Sequence, residues 1–247
     1  MASASTAVLR TEARLLSREP GVLFWIITFP TLLMVILGLI PGFDEPDTAL
    51  GGRRVIDLYV PVAALLAVIT AGLQAMPPVL IGYRERGILR RMSTTPVRPT
   101  TLLVSQLVLL GGAALASAVL AIAVGRIAFG VALPGQITGY LVALVLSTAG
   151  ALALGGLVCA IASTQKAGQA IGSALFFPSM FTGGVWLPVQ AMPDLLRDIV
   201  GYSPMGAASE ALDAAMRGGW PHWADLGVMA LWTLVLTAGA ARWFRWE

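Results

Sequence analysis

Along the chain, long stretches without a single charge alternate with short segments rich in arginine. The uncharged runs cover 20–43, 58–83, 99–125, 127–165, 167–193 and 226–241. A helix needs about 20 apolar residues to cross about 30 Å of hydrocarbon. The fourth run, at 39 residues, is too long for one helix and too short for two with a turn. Pro134-Gly135-Gln136 breaks it and leaves about 137–163. The last run holds only 16 residues, but Trp223, Trp243 and Trp246 bracket it as interfacial anchors do. The pattern predicts one all-α membrane domain over 1–247, with spans at about 21–41, 58–82, 100–125, 137–163, 168–187 and 224–242. The first run is read as a retained span, because Pro41-Gly42-Phe43 after it offers no small-residue cleavage site.

Three segments lie between or before these runs. Residues 6–19 read as an amphipathic helix, with Arg10, Arg14 and Arg18 every four residues on one face and Val8, Leu9, Leu15 and Leu16 opposite. Such a helix is expected to lie in the headgroup layer with its arginines near anionic lipid. Residues 83–99 form the longest arginine-rich loop. As a helix, 84–93 places Ile88, Leu89 and Met92 on one side and Arg86 and Arg90 on the other, with Glu85 buried, before Pro96 and Pro99 stop it. Residues 188–223 are too polar to span and too apolar for a free loop. Leu195, Leu196, Ile199 and Val200 make one short apolar stripe, and Glu210, Asp213 and Arg217 share a face of a second short helix. Two short helices re-entering the outer leaflet between the fifth and sixth spans are expected, packed on protein because lipid-exposed polar backbone costs several kcal/mol.

Composition removes whole classes of function. Hydrophobic residues make up 57% of the 247 and charged residues 12%, about half the roughly 25% of soluble domains. The net charge of +3 sits beside apolar runs, which fits membrane flanks and not a nucleic-acid partner. The single cysteine, Cys159, excludes an internal disulfide or a cysteine-based metal cluster. With the N-terminus inside, the inner segments hold 11 basic and 4 acidic residues and the outer ones 5 and 9. The positive-inside rule therefore places both termini in the cytoplasm.

Apart from Asp225 and Arg242 at the two ends of the last one, the predicted spans contain no Asp, Glu, Lys, Arg or His, whereas ion-coupled carriers usually keep an ionisable group at membrane depth. The one histidine, His222, reads as an interfacial polar residue. No G-x-x-x-x-G-K-[ST] loop occurs; the only lysine, Lys166, lies in Ser163-Thr164-Gln165-Lys166-Ala167. No catalytic, cofactor-binding or metal-binding residue is expected. Energy for uphill transport would then come from another chain docked on the inner loop.

Glu85, Arg86, Gly87, Leu89, Arg90, Arg91 and the Thr95-Pro96-Val97 turn resemble the coupling loop of ABC transporter type-2 export permeases. Phe177-Pro178-Ser179-Met180-Phe181-Thr182-Gly183-Gly184-Val185-Trp186-Leu187-Pro188, followed by Met192-Pro193-Asp194 and Tyr202-Ser203-Pro204, resembles that family's fifth span and folded-back outer segment. Gly183-Gly184 stands where the family more often has Ser-Gly.

The resemblance implies a transport subunit without enzymatic activity in a bacterial plasma membrane. A second permease, identical or not, and two ATPase subunits holding Mg-ATP would complete it. It is nearest to the daunorubicin and multidrug branch, which implies a hydrophobic or amphipathic small-molecule solute. Gln74, Gln106, Phe177, Phe181, Gly183, Gly184, Trp186 and Pro188 are the candidates for pathway or gate, the two glutamines being read either as lining it or as bonding to a neighbouring helix, and Phe177, Phe181 and Trp186 either as contacting an apolar solute or as packing in the core or against lipid. Export of a lipid-linked polysaccharide, a non-transporting membrane anchor and a proton-coupled antiporter are the alternatives, the last weakened by the missing membrane carboxylate.

Overall fold

The computed structural model describes residues 4–50, 52–92 and 99–243. Pro96, with Thr95, Val97 and Arg98, lies outside them, as do Arg245 and Trp246. Helices take up 82% of the described residues. They are α1 (Ala4–Ser17), α2 (Pro20–Gly38), α3 (Val55–Glu85), α4 (Ile88–Met92), α5 (Pro99–Phe129), α6 (Ile137–Ile161), α7 (Gln165–Thr182), α8 (Asp194–Gly201), α9 (Pro204–Met216) and α10 (Trp223–Trp243). A two-residue antiparallel ribbon, β1 (Pro46–Asp47) with β2 (Arg53–Arg54), joins α2 to α3.

Among the described residues five helices, against the six spans expected, are long and apolar enough to cross a membrane: α2, α3, α5, α6 and α10. The exception is α7. It opens on Gln165-Lys166, carries Gln169 and Pro178, and stops at Thr182, short of residue 187. Gly184, with φ of +84°, turns the chain there; a side chain is strained in that region of backbone space.

Helix α3 is the axis of the molecule. In its most apolar stretch 89% of residues are buried, against 17% in α10, which lies at the periphery. Its first turn is fixed by Asp57, which accepts from the Arg54 amide at 3.2 Å and pairs with the Arg54 guanidinium at 2.7 Å. Negative charge there also suits the positive end of the helix dipole.

Met76-Pro77-Pro78 is expected to break or kink this helix, yet it continues to Glu85. The turn before the prolines, Ala71–Ala75, widens to π-helical geometry. A proline ring clashes with the carbonyl four residues back and donates no hydrogen bond, and the wider turn absorbs the mismatch. The same device precedes Pro30, where Phe24–Thr28 is π-helical.

The widened turn of α3 is gripped by glycines from two helices. A Cβ at Gly155 of α6 would lie 2.0 Å from the Gly72 carbonyl oxygen, and one at Gly172 of α7 would lie 2.6 Å from that of Leu73. Gly168, one turn earlier, is pressed against Ile81. The small-residue face of α7 thus packs against α3 within this chain.

Helix α9 enters the bundle. Gly183 packs between Ile69, deep in α3, and Met205 near the start of α9, whereas the other end of α9 accepts backbone hydrogen bonds from Gly135 and Gln136. Ser203 caps it, accepting from the Gly206 amide at 3.0 Å. Ala207, Ala208, Ala211, Leu212 and Ala215 are fully enclosed, as a short polar-backbone segment inside an apolar bundle must be. The stripe on α8 is turned differently from expectation: Val200 is buried, but Leu195 and Ile199 are exposed.

Candidate functional site

Two features converge at one end of the bundle: a charged joint between helices and a groove running along α2. The joint is built from the last residues of α3. Its Arg84 guanidinium donates to the carbonyl of Cys159 at 3.0 Å and to that of Ala162. These are end carbonyls of α6, which have no partner inside their own helix. The next residue, Glu85, accepts from the Gln165 amide at 2.9 Å, the first of α7. Thr164 supplies the side-chain cap of α7 through the Ala167 amide.

Each charge meets the helix terminus of opposite polarity. One dipeptide therefore holds both sides of the α6–α7 turn. Glu85 is exposed and not buried as expected; its carboxylate needs no burial, since an open helix N-terminus lies within reach.

The expected single helix over 84–93 is two pieces. Gly87, with φ of +64°, ends α3 in a left-handed turn in which its amide bonds to the Arg84 carbonyl at 2.9 Å. Helix α4 then runs from Ile88 to Met92. Leu89 is buried in the main core, with Ile88 and Met92 half-buried and Arg86, Arg90 and Arg91 exposed. Arg91 donates back to the Arg86 carbonyl at 3.1 Å.

The groove opens above this joint. A cavity of about 600 Å³ is lined by Trp25 and Phe29 of α2, Thr70 and Gln74 of α3, Phe177 of α7 and Trp186. A second, of about 410 Å³, adjoins it and takes in Glu12, Tyr83, Arg86, Gln106 and Gln165. Of the pathway candidates, the structure brings Gln74, Phe177 and Trp186 together in the larger cavity and places Gln106 in the smaller one. Phe181 lines neither, and Gly183, Gly184 and Pro188 are buried in the turn after α7.

Gln106 bonds to a neighbouring helix in a form the sequence reading did not contain. Its Nε2 donates at 2.6 Å to Glu12 of α1, which also accepts from the Tyr83 hydroxyl at 2.9 Å. Glu12 is only 6% exposed. A carboxylate therefore does sit within the protein, although the uncharged runs hold none. It comes from α1, whose packed face is Val8, Glu12 and Leu16 while Arg10, Arg14 and Leu15, and Arg18 just after the helix, are exposed. The spacing that set Arg10, Arg14 and Arg18 apart also put Glu12 one turn from Val8 and Leu16, and that was the available signal. Arg84 carried none beyond its position at a span's end.

At the opposite end the charges pair with one another. Arg53 meets Asp213 at 2.6 Å, and Arg217 lies 3.2 Å from the same carboxylate. Arg197 and Glu210 form a two-bond pair at 2.7 and 2.9 Å; that bonding raises the Arg197 guanidinium above its ordinary range, so the guanidinium stays charged.

Among the described residues no group of His, Cys, Asp and Glu is arranged to hold a metal ion. No curated protein matches the chain. A family model described as ABC-2 type transporter matches residues 4–216, which takes in the joint, the groove and α9. This chain belongs to the ABC-2 type transporter family, as its membrane-spanning permease component.

Proposed function

We propose that the chain is the permease subunit of an ATP-driven exporter that moves a hydrophobic or amphipathic, drug-like solute out of a bacterial cell. Membership of the family implies an ABC ATPase partner. Two copies of that ATPase, carrying Mg-ATP, would dock on the loop from Arg86 to Pro99, with a second permease completing the pathway. In this reading α2, α3, α5, α6 and α10 cross the bilayer, and α7 crosses as a sixth helix that meets α3 through Gly168 and Gly172. Both termini are cytoplasmic, α1 lies at the inner surface with Arg10, Arg14 and Arg18 towards anionic lipid, and α8 and α9 form the outer cap.

The observation that carries the reading is the joint at Arg84 and Glu85. A loop that only satisfied charge topology would have no need of a connection to two further helices. Here any displacement of the loop by a partner passes through α3 to the α6–α7 turn as a rigid body, which is the kind of element an alternating bundle requires. The aromatic cavity supports an apolar solute, being of the size usual for small-molecule sites, roughly 300–1,000 Å³.

The test is reconstitution in liposomes with the partner ATPase and a fluorescent apolar dye. Dye movement that requires both ATP and the partner is expected. Movement without the partner, or labelling of a cysteine placed at Arg90 from outside intact cells, would end the proposal.

A further inference from the structure

The two cavities are one groove, because Glu19, Val22, Gln74 and Ala75 line both. Its two ends differ in chemistry. The larger end is walled by the rings of Trp25, Phe29, Phe177 and Trp186. At the smaller end stand two carboxylates, Glu12 from α1 and Glu19 from the link between α1 and α2.

Among the described residues no ion pair includes Glu12 or Glu19. Glu12 is bonded only by neutral donors, Tyr83 and Gln106. Arg86 lines the same end, but its Nε donates to the Gly82 carbonyl at 3.0 Å and its guanidinium lies over the Tyr83 ring, 5.5 Å from the centroid. A buried carboxylate without a counter-charge is unfavourable unless something supplies one. Aromatic faces in turn attract cations through the ring quadrupole. With two carboxylates against the one guanidinium of Arg86, this end is net negative, which disfavours an anionic solute, and a neutral one would leave Glu12 as it stands.

We infer that the groove binds a monovalent organic cation with an apolar, ring-bearing body, its rings against Trp25, Phe29 and Phe177 and its charge towards Glu19 and Glu12. This rests on the permease reading and narrows its solute class. The groove is polar at the α1 end, so the charged end of the solute would enter from the headgroup layer where α1 is proposed to lie.

Tetraphenylphosphonium and tetraphenylborate have the same shape and opposite charge, which isolates the charge preference. Binding of each to the full chain in a non-ionic detergent is measured by quenching of tryptophan fluorescence, corrected for protein-free micelles. The phosphonium is expected to bind at least about tenfold more tightly than the borate. Glu19→Gln, at an exposed position, is expected to cut phosphonium affinity several-fold while leaving borate affinity the same or higher. Glu12→Gln keeps the side-chain size and acts in the same direction; a misfolded variant would instead lose both ligands.

Equal affinities, preference for the borate, or an unchanged ratio in Glu19→Gln would overturn the inference. The permease reading fails separately. Charge-selective binding without ATP-dependent transport would sink that reading alone, and ATP-dependent export indifferent to charge would sink only the cation site.

Discussion

The two ends of the bundle use their charges in opposite ways. At the α9 end, acids and bases neutralise each other: Arg53 and Arg217 around Asp213, Arg54 with Asp57, and Arg197 with Glu210. At the α1 end, the charges are directed at backbone and neutral groups: Arg84 at the carbonyls of α6, Glu85 at the amide of α7, Glu12 at Tyr83 and Gln106. Paired charges resist rearrangement, because separating them exposes each to an unfavourable setting. Charges spent on helix ends fix only how two helices meet. One end is therefore built as a closed cap and the other as a joint, a division that suits the proposed transport driven from one side.

The comparison breaks most readily at Asp213. Its carboxylate is buried and Asp213→Asn would leave two arginines without their partner. The expected loss is about 3 kcal/mol, at the lower edge for broken buried pairs because both arginines reach solvent. Thermal unfolding of the purified protein reads it, and an unchanged midpoint would mean the cap is not electrostatic. Solute-stimulated ATP hydrolysis per folded molecule is expected to persist.

Arg84→Ala sharpens the other side. It removes two charge-assisted hydrogen bonds to the end of α6, a loss of about 2 kcal/mol, and is expected to weaken coupling more than stability. Stimulated hydrolysis by the partner, compared with insertion into the membrane, separates the two; equal losses in both would make Arg84 merely structural.

Much of the division between cap and joint was hidden in the sequence for a physical reason. Uncharged runs report the solvent of a helix, so 58–83, 99–125 and the stretch after Pro134-Gly135-Gln136 anticipated α3, α5 and α6 closely. Runs do not report how helices meet. The π-helical turn of Ala71–Ala75 answers both the following prolines and the close approach of Gly155 and Gly172, and only the second helix in each contact reveals the need. Arg84 and Arg86 look alike as flanking arginines, yet one caps α6 and the other stacks on Tyr83. Phe177 and Trp186, named as candidates from the segment that resembles the family, do line the larger cavity. Trp25, on a plain apolar run, was not among the candidates.

Smaller effects complete the series. Glu85→Gln keeps an acceptor for the Gln165 amide but removes the charge at the α7 terminus, a cost of about 0.5–1 kcal/mol. Hydrogen exchange at the first turn of α7 is expected to quicken, and unaltered protection would remove Glu85 from the joint. Arg197→Ala deletes a pair whose arginine is 41% exposed, so its cost is about 0–1 kcal/mol. A midpoint shift as large as that of Asp213→Asn would show that α8 belongs to the cap as firmly as α9 does.

The direct test of force passing through the end of α3 is ATP-driven solute uptake into inverted vesicles carrying the partner ATPase, with the chain intact or as the Arg84→Ala, Glu85→Gln double variant. The double variant is expected to retain partner binding and unstimulated ATP hydrolysis while uptake falls at least about tenfold. Uptake at the undiminished rate, with the α3 contacts to α6 and α7 removed, would contradict the account.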